Sequence, residues 1–215
     1  HMLPLGGRGQ AIFSVDIERD GEPVHEVLRP PGLPDVLGTG AEFVMHIRAL
    51  NKRVSSISAD GVGSESAFVG RIESGEIFNQ APTTCRVEGT RRWVRPGAVD
   101  AVRAEFDALL SDLSKKSGTR IGIADWEVTG DAFQIEANDP LVSALQKAHC
   151  SVAGRMLPVG AKPFVDDGNQ FITRAGVTAL THGPAAHGAH TTQERVSLDE
   201  LLRVARVYAL TALSF

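Results

Sequence analysis

Three histidines near the carboxyl end of the chain are the residues best suited to metal chemistry. His182, His187 and His190 are spaced five and three positions apart in a loop rich in glycine and alanine. Imidazole nitrogens are common ligands for zinc, and loops that follow strands often carry such ligands. A catalytic zinc ion usually has about three protein ligands and a water molecule, and this spacing alone does not define such a set. Solvated histidines without a role are the simpler interpretation of the same pattern.

Carboxylates on both sides of this loop could support a metal ion or act as a base. Asp166 and Asp167 come just before a stretch that is predicted to be helical, residues 168–175. They could be metal ligands, but carboxylates suit the positive end of a helix, so we favour a helix cap. Glu194 could be a general base, although composition favours a surface charge.

Four residues in the first half of the chain could contact an anion or a reacting carbonyl group. His25 lies near the start of a long loop, residues 20–40, and loops of that length are uncommon unless they are functional or mobile. We therefore treat His25 as a candidate catalytic or oxyanion-stabilising residue. Arg91 and Arg92 stand at a strand end, where one of them could bind an anion with two hydrogen bonds, while a solvated pair is the default. Asn79 precedes a proline by three positions and is more often a turn residue than a ligand.

Hydrophobic periodicity predicts that a sheet and two helices position these residues. Residues 10–19 alternate apolar and polar side chains, which is typical of a half-buried strand. Further strands are predicted over 64–73, 83–94 and 119–128, and helices over about 41–54, capped by Thr39, and from Val99 to Leu113. This order is that of the ferredoxin-like βαββαβ fold, an antiparallel sheet with two helices on one face. We assign it to residues 9–130.

The remaining residues, 131–215, show a different pattern. A helix is predicted from Pro140 to about Val152, a second over 168–175, a short strand over 177–181, and a last helix opened by a capping box at Ser197–Glu200. This is an α/β fragment, and a single strand does not supply a sheet for its helices to cover. The predicted fold class is therefore α+β, a ferredoxin-like domain followed by an α/β fragment.

The composition of the 215 residues excludes several classes of protein. The net charge of −4 argues against nucleic acid as a partner. No apolar run approaches the roughly 20 residues of a membrane span, no signal peptide is visible, and His1-Met2 resembles a cloning remnant. Cys85 and Cys150 lie far apart, so we expect two reduced, buried thiols in a cytoplasmic protein, with a disulfide as the alternative.

Several short motifs follow one another along the chain. They are Gly21-Glu-Pro-Val-His25, Asn79-Gln-Ala-Pro82, Val87-Glu-Gly-Thr-Arg-Arg92, Asp167 through Gly176, and His182-Gly-Pro184 with Gly188-Ala-His-Thr191 and Glu194. In this order they resemble the dinuclear zinc amidohydrolases that include aminoacylase, acetylornithine deacetylase, succinyl-diaminopimelate desuccinylase and glutamate carboxypeptidase. In that family a ferredoxin-like lid, which is also the dimerisation domain, is inserted into a zinc-binding α/β catalytic domain. The resemblance covers almost the whole chain.

The resemblance implies roles for five residues. His190 corresponds to the family's final metal ligand. His25 corresponds to a lid histidine that reaches into the partner subunit's site and stabilises the developing oxyanion, a role suited to a positioned donor. Asn79 and Arg92 correspond to lid residues that hold the substrate, with the arginine on a carboxylate. Gly183 corresponds to a loop whose backbone lines the substrate pocket.

The sequence also departs from the family pattern. The family's other metal ligands lie in a first catalytic segment, which precedes the lid and is not part of this sequence. His182 and His187 fall where the family has no ligand, and the 20–40 loop is longer and richer in proline than usual. One ligand cannot hold two ions.

The resemblance therefore implies part of a zinc- or cobalt-dependent amidohydrolase. The intact enzyme would cleave an amide bond of an N-acyl amino acid or small peptide and would be a homodimer through the lid domain. This chain by itself would be inactive. The alternative is a non-catalytic dimerisation or binding module.

Overall fold

The computed structural model describes residues 2–162, 164–189 and 191–215. Its strands are β1 (Leu3–Gly7), β2 (Gly9–Glu18), β3 (Val24–His25), β4 (Ser58–Ala59), β5 (Gly63–Ser64), β6 (Ser66–Ser74), β7 (Gln80–Ala81), β8 (Thr84–Trp93), β9 (Arg120–Gly130), β10 (Phe133–Gln134), β11 (Val159–Lys162), β12 (Ala186–His187) and β13 (Arg195–Val196). Its helices are α1 (Val36–Val54), α2 (Val99–Ser117), α3 (Pro140–Ala153), α4 (Asp167–Ala175) and α5 (Leu198–Ser214), with a short 3-10 helix at Glu26–Leu28.

The chain divides into two compact units. The first, which we call the ferredoxin-like unit, consists of residues 8–59 and 64–132. The second, which we call the C-terminal unit, consists of the residues up to Gly7, residues 60–63 and Phe133–Phe215.

A four-stranded antiparallel sheet in the order β6-β8-β2-β9 forms the ferredoxin-like unit. Alternate residues of the central strand β2 (Phe13, Val15 and Ile17) are buried, because successive side chains of a strand point to opposite faces. They form one core with Phe43 of α1 and Phe106 of α2, so both helices cover the same face. This confirms the predicted ferredoxin-like fold.

Close packing in this core depends on aromatic rings and one glycine. The Phe106 ring lies 5.0 Å from the Phe13 ring and 5.1 Å from the Trp126 ring, both in tilted or edge-on geometry. Gly89 of β8 lies beside them, where an added Cβ would stand 2.0 Å from the Phe68 carbonyl oxygen and 2.6 Å from the Phe13 ring. Only glycine fits this position without moving the sheet.

Helix α1 begins earlier than the sequence predicted. Its N-cap is Asp35, whose Oδ1 accepts a hydrogen bond of 3.0 Å from the Gly38 amide, whereas Thr39 lies inside the helix. Glycine lowers helix propensity, and this hid the first turn. Gly40 is needed for packing, because an added Cβ would stand 2.4 Å from Cys85 Sγ.

The C-terminal unit is built on a three-stranded sheet in the order β10-β1-β11. Strand β1 runs parallel to β11 and antiparallel to β10, and its Leu3 and Leu5 pack in a core with Leu145 of α3 and Val207 of α5. The helices α3, α4 and α5 confirm the predicted helices.

The predicted strand over 177–181 is wrong. These residues have no regular structure, and the sheet uses residues 3–7, 133–134 and 159–162 instead. The segment Leu3–Gly7 contains proline and two glycines, which are depleted in strands, so its composition does not indicate a strand.

The capping of α5 was predicted only in part. The Ser197 hydroxyl accepts from the Glu200 amide at 3.1 Å. The Glu200 carboxylate does not close the predicted capping box but accepts from Arg203 and from the Ala185 amide.

Both cysteines are free thiols. Cys85 is buried, and burial raises the pKa of its thiol. Cys150 is exposed, so its predicted burial was wrong. No helix in the described part of the chain is long and apolar enough to cross a membrane.

Candidate functional site

A small two-stranded arm at one end of the ferredoxin-like sheet brings His25 and Asn79 together. Strand β3 pairs with β7, with His25 opposite Gln80, and the Glu26 amide donates to the Asn79 carbonyl at 2.9 Å. His25 Nε2 and Asn79 Nδ2 lie 3.1 Å apart, although 54 positions separate them in the sequence. We call this pair and its two strands the His25–Asn79 arm.

Glu26 completes the surroundings of the His25 ring. Its Oε2 lies 3.3 Å from Nδ1, and the Val27 amide donates a hydrogen bond of 3.4 Å to the same nitrogen. Nδ1 is thus the acceptor of a backbone amide, and the direction of the Nε2–Asn79 contact is set by the ring tautomer. The His25 side chain is 47% exposed, so its ring is open to a ligand.

Large apolar side chains beside the arm are open to solvent. Val27 and Leu28 are mostly exposed, and Phe78, next to Asn79, is fully exposed. Adjacent apolar side chains around a polar pair are typical of a contact surface. The sequence analysis predicted neither these exposed apolar residues nor the contact of Glu26 with His25. Glu26 directly follows His25, and Phe78 directly precedes Asn79.

Arg92 lies at the opposite end of the sheet from the His25–Asn79 arm. It stands in β8 opposite Gln10 of β2 and Ser66 of β6. Its guanidinium is partly buried. Burial is the main cause that lowers its pKa, and the positive charge of Arg8 lowers it further. Thr84 starts β8 at the arm end, and eight strand positions at about 3.3 Å each put Arg92 roughly 26 Å away.

Arg91 is not the solvated residue that the sequence predicted. It is 3% exposed, and its Nη2 lies 2.7 Å from Oε2 of Glu65, which is 2% exposed. Glu105 of α2 is a second, longer partner at 3.4 Å. Because side chains of a strand alternate, Arg91 faces the helices and leaves Arg92 on the other face of the sheet. Arg92 is therefore the arginine that a ligand can reach.

The loop that carries Gly183 is anchored to α5. The Ala185 amide donates to Glu200 Oε2 at 3.1 Å, and the hydrogen bonds from Arg203 and Ala185 lower the pKa of Glu200 to about 2. An added Cβ at Gly183 would meet no described atom within 4 Å, so the backbone has open space beside it.

His182, next to Gly183, has a structural position. Its ring is buried and lies edge-on to His149 at 5.6 Å, and its carbonyl accepts a hydrogen bond from the Tyr208 hydroxyl. Burial, together with the charges of Arg203 and His149, lowers its pKa.

The remaining predicted metal candidates form no metal site among the described residues. His187 lies exposed in β12, and His190 lies outside the described residues. Asp166 caps α4 through a 2.9 Å bond from the Gly168 amide, which confirms the predicted cap. No group of three or more His, Cys, Asp or Glu in the described ranges is placed to hold a metal ion. These residues alone do not fit a dinuclear centre.

A model of the peptidase family M20/M25/M40 matches residues 10–214. The chain belongs to this family, which confirms the resemblance at the family level.

Three relatives illustrate the similarity. A succinyl-diaminopimelate desuccinylase from Psychrobacter arcticus is 28% identical over 130 residues, which are 60% of this chain and 31% of the relative. A tripeptidase from Staphylococcus aureus superposes with a TM-score of 0.78 at 18% identity, covering 97% of this chain and 52% of that one. A Bacillus subtilis structure described as a dinuclear metal binding peptidase gives a TM-score of 0.68 at 13% identity, covering 99% and 51%. The chain thus spans about a third of the desuccinylase and half of the solved peptidases.

Proposed function

We propose that this chain is the lid and the second part of the catalytic domain of a metal-dependent amidohydrolase. The substrate is an N-acyl amino acid or a small peptide, and the reaction cleaves its amide bond. The observation that carries the proposal is the His25–Asn79 contact of 3.1 Å on an exposed arm of a lid-like unit. Family membership supports the class of reaction.

The proposed roles follow the chemistry of each side chain. His25 donates a hydrogen bond to the oxygen that becomes negative as the amide carbonyl is attacked, which is how positioned donors lower a barrier. Asn79 orients the His25 ring and contacts the substrate. Arg92 binds the substrate carboxylate, and the Gly183 backbone lines the pocket. His190 is the metal ligand that this chain contributes.

The distance along the sheet supports a site shared by two subunits. A dipeptide-sized substrate spans roughly 7 Å, so it cannot contact both the His25–Asn79 arm and Arg92 of one ferredoxin-like unit. The arm of one subunit and the arginine of its partner can meet at one substrate, which makes the active form a homodimer.

The outer strand β6 is the proposed dimer edge. It exposes the apolar residues Phe68 and Ile72 beside the ion pair Arg71–Glu73. The other outer strand, β9, exposes Arg120, Asp125 and Glu127 and has no large exposed apolar side chain among the described residues. Charges on an edge discourage pairing, and apolar side chains favour it.

The metal would be zinc or cobalt. When bound, it would activate a water molecule for attack on the amide carbonyl. Because one predicted ligand cannot hold two ions, we expect the chain by itself to be inactive. The proposed location is the cytoplasm, without nucleic acid or membrane as a partner.

The first test measures turnover of N-acyl amino acids and tripeptides by the purified 215-residue chain with Zn²⁺ or Co²⁺. We expect no turnover and no stoichiometric metal in the dialysed protein. Robust turnover would contradict the assignment of the other ligands to a segment outside this sequence.

The second test measures the mass of the chain in solution by light scattering. We expect a dimer that Phe68→Glu converts to a monomer. Glu127→Lys on β9 is the matched control and should leave the dimer intact. A monomeric wild-type chain, or a dimer broken by the control alone, would overturn the proposed edge.

A further inference from the structure

Arg19 connects the two segments that carry His25 and Asn79. It follows the last residue of β2, and only 6% of its surface is exposed. Its guanidinium donates to four backbone carbonyls: Nε to Pro82 at 2.8 Å, Nη2 to Ala81 at 2.9 Å and to Glu22 at 3.0 Å, and Nη1 to Asp20 at 3.0 Å. A guanidinium presents five N–H donors in a rigid plane, so one side chain can satisfy several fixed acceptors.

The acceptors belong to two different connections. Asp20 and Glu22 precede β3, which ends at His25, while Ala81 and Pro82 follow Asn79 at the end of β7 and just beyond it. Gly21, between the first two acceptors, has φ +86°, a conformation that glycine adopts without steric cost. The Arg19 side chain therefore bridges the base of the His25–Asn79 arm.

The arm itself is short. Strands β3 and β7 have two residues each, and short isolated pairs of strands are marginally stable in water. The exposed apolar side chains Val27, Leu28 and Phe78 add little packing. The Arg19 bonds are part-buried polar contacts that join the connection before β3 to the end of β7.

We infer that Arg19 is a positioning residue: its fan of bonds to the carbonyls of both connections sets the distance between His25 and Asn79. The inference rests on the proposed function for its catalytic consequence, because Arg19 itself does not touch the substrate. Its structural part concerns this chain alone and can be tested separately.

The test compares Arg19→Met and Arg19→Lys with Arg120→Met. Arg120 lies at the same end of the sheet and forms exposed ion pairs with Asp20 and Glu18, so it matches the charge change without the carbonyl bonds. Amide hydrogen exchange is measured at Glu26, which bonds the Asn79 carbonyl, and at Val15 in the centre of the sheet. The imidazole signals of His25 are followed by NMR.

We expect Arg19→Met to speed exchange at Glu26 by about tenfold or more and to shift the His25 signals, with Val15 unchanged. Arg19→Lys should not restore the wild-type exchange rate at Glu26 or the His25 signals, since one ammonium cannot reach four fixed carbonyls. Arg120→Met should resemble the wild type. Unchanged exchange at the Glu26 amide in Arg19→Met would overturn the inference. Full recovery of protection in Arg19→Lys would also overturn it, because charge alone would then be enough. Equally faster exchange at Val15 and Glu26 would show that Arg19 supports the whole sheet and not the arm.

Activity of the metal-loaded polypeptide that includes the first catalytic segment adds the functional readout. Arg19→Met should lower kcat with little change in KM. If His25→Ala leaves kcat unchanged, the proposed role of His25 fails, while the exchange result still decides whether Arg19 holds the arm. If His25→Ala lowers kcat and Arg19→Met does not, the positioning role fails.

Discussion

Replacing Arg91 by methionine should unfold the ferredoxin-like unit far more easily than replacing its neighbour Arg92. Arg91 and Glu65 form a 2.7 Å ion pair, and the two side chains are 3% and 2% exposed. Methionine leaves the Glu65 carboxylate buried without its partner, and breaking such a pair costs about 3–5 kcal/mol. Arg92 is only partly buried on the other face of the sheet, so Arg92→Met should cost less than about 1 kcal/mol.

Urea unfolding followed by tryptophan fluorescence measures this difference. Both tryptophans of the chain, Trp93 and Trp126, lie in the ferredoxin-like unit, so the signal reports on that unit. With a slope of about 2 kcal/mol per molar urea, Arg91→Met should lower the midpoint by roughly 1.5–2.5 M.

A double variant separates the lost pair from the lost side chain. Arg91→Met with Glu65→Leu removes both charges, and apolar replacement of a buried pair is often neutral or stabilising. We expect the double variant to recover most of the stability that Arg91→Met loses. A midpoint for Arg91→Met equal to that of Arg92→Met, or a double variant that is less stable than either single variant, would refute the reasoning.

Two further predictions concern packing and pH. Gly89→Ala should lower the free energy of unfolding by about 1–3 kcal/mol, because the new Cβ meets the Phe68 carbonyl and the Phe13 ring. The control is Gly122→Ala in β9, where an added Cβ meets no described atom within 4 Å. Equal urea midpoints for the two variants would contradict the packing argument. Burial opposes ionisation of Asp166, but the bonds from Lys162 and Thr181 outweigh it and hold its pKa below the usual value. Its contribution to stability is therefore present above about pH 4 and is lost as pH falls through the lowered pKa. The stability difference between wild type and Asp166→Asn, measured by hydrogen exchange in α4, should shrink below about pH 4; a difference that stays constant down to pH 3 would contradict this sign.

The ferredoxin-like fold could be predicted because its core residues carry a clear period. Phe13, Val15 and Ile17 alternate with polar residues, and the buried residues Val102, Phe106, Leu110 and Leu113 of α2 follow helical spacing. The start of α1 was missed because glycine has a low helix propensity. One glycine of this turn, Gly40, is required because a larger residue would clash with Cys85 of β8. No local pattern reports such a contact.

The sheet of the C-terminal unit could not be predicted from local sequence patterns for a similar reason. Its strands come from residues 3–7, 133–134 and 159–162, and each is short, so only tertiary pairing identifies them. The predicted strand at 177–181 has a strand-like composition but no partner strand in the described structure.

The motifs predict candidate site residues but not how those residues are arranged. Motifs identified His25, Asn79 and Arg92, yet only strand register shows that the first two touch and that the third lies at the far end of the sheet. The buried state of Arg91 depended on Glu65, which is 26 positions away. No motif indicates the role of Arg19, because its acceptors are backbone carbonyls, which every residue has.

The most direct test of the central claim is the rate of amide hydrolysis by the zinc-loaded polypeptide that includes this chain and the family's first catalytic segment. His25→Ala should lower kcat by about 10²–10³ on an N-acyl amino acid, the loss expected when one oxyanion donor is removed. Mixing it with Arg92→Met, which keeps an intact arm, should restore part of the activity through mixed dimers. Unchanged kcat in His25→Ala would contradict the account.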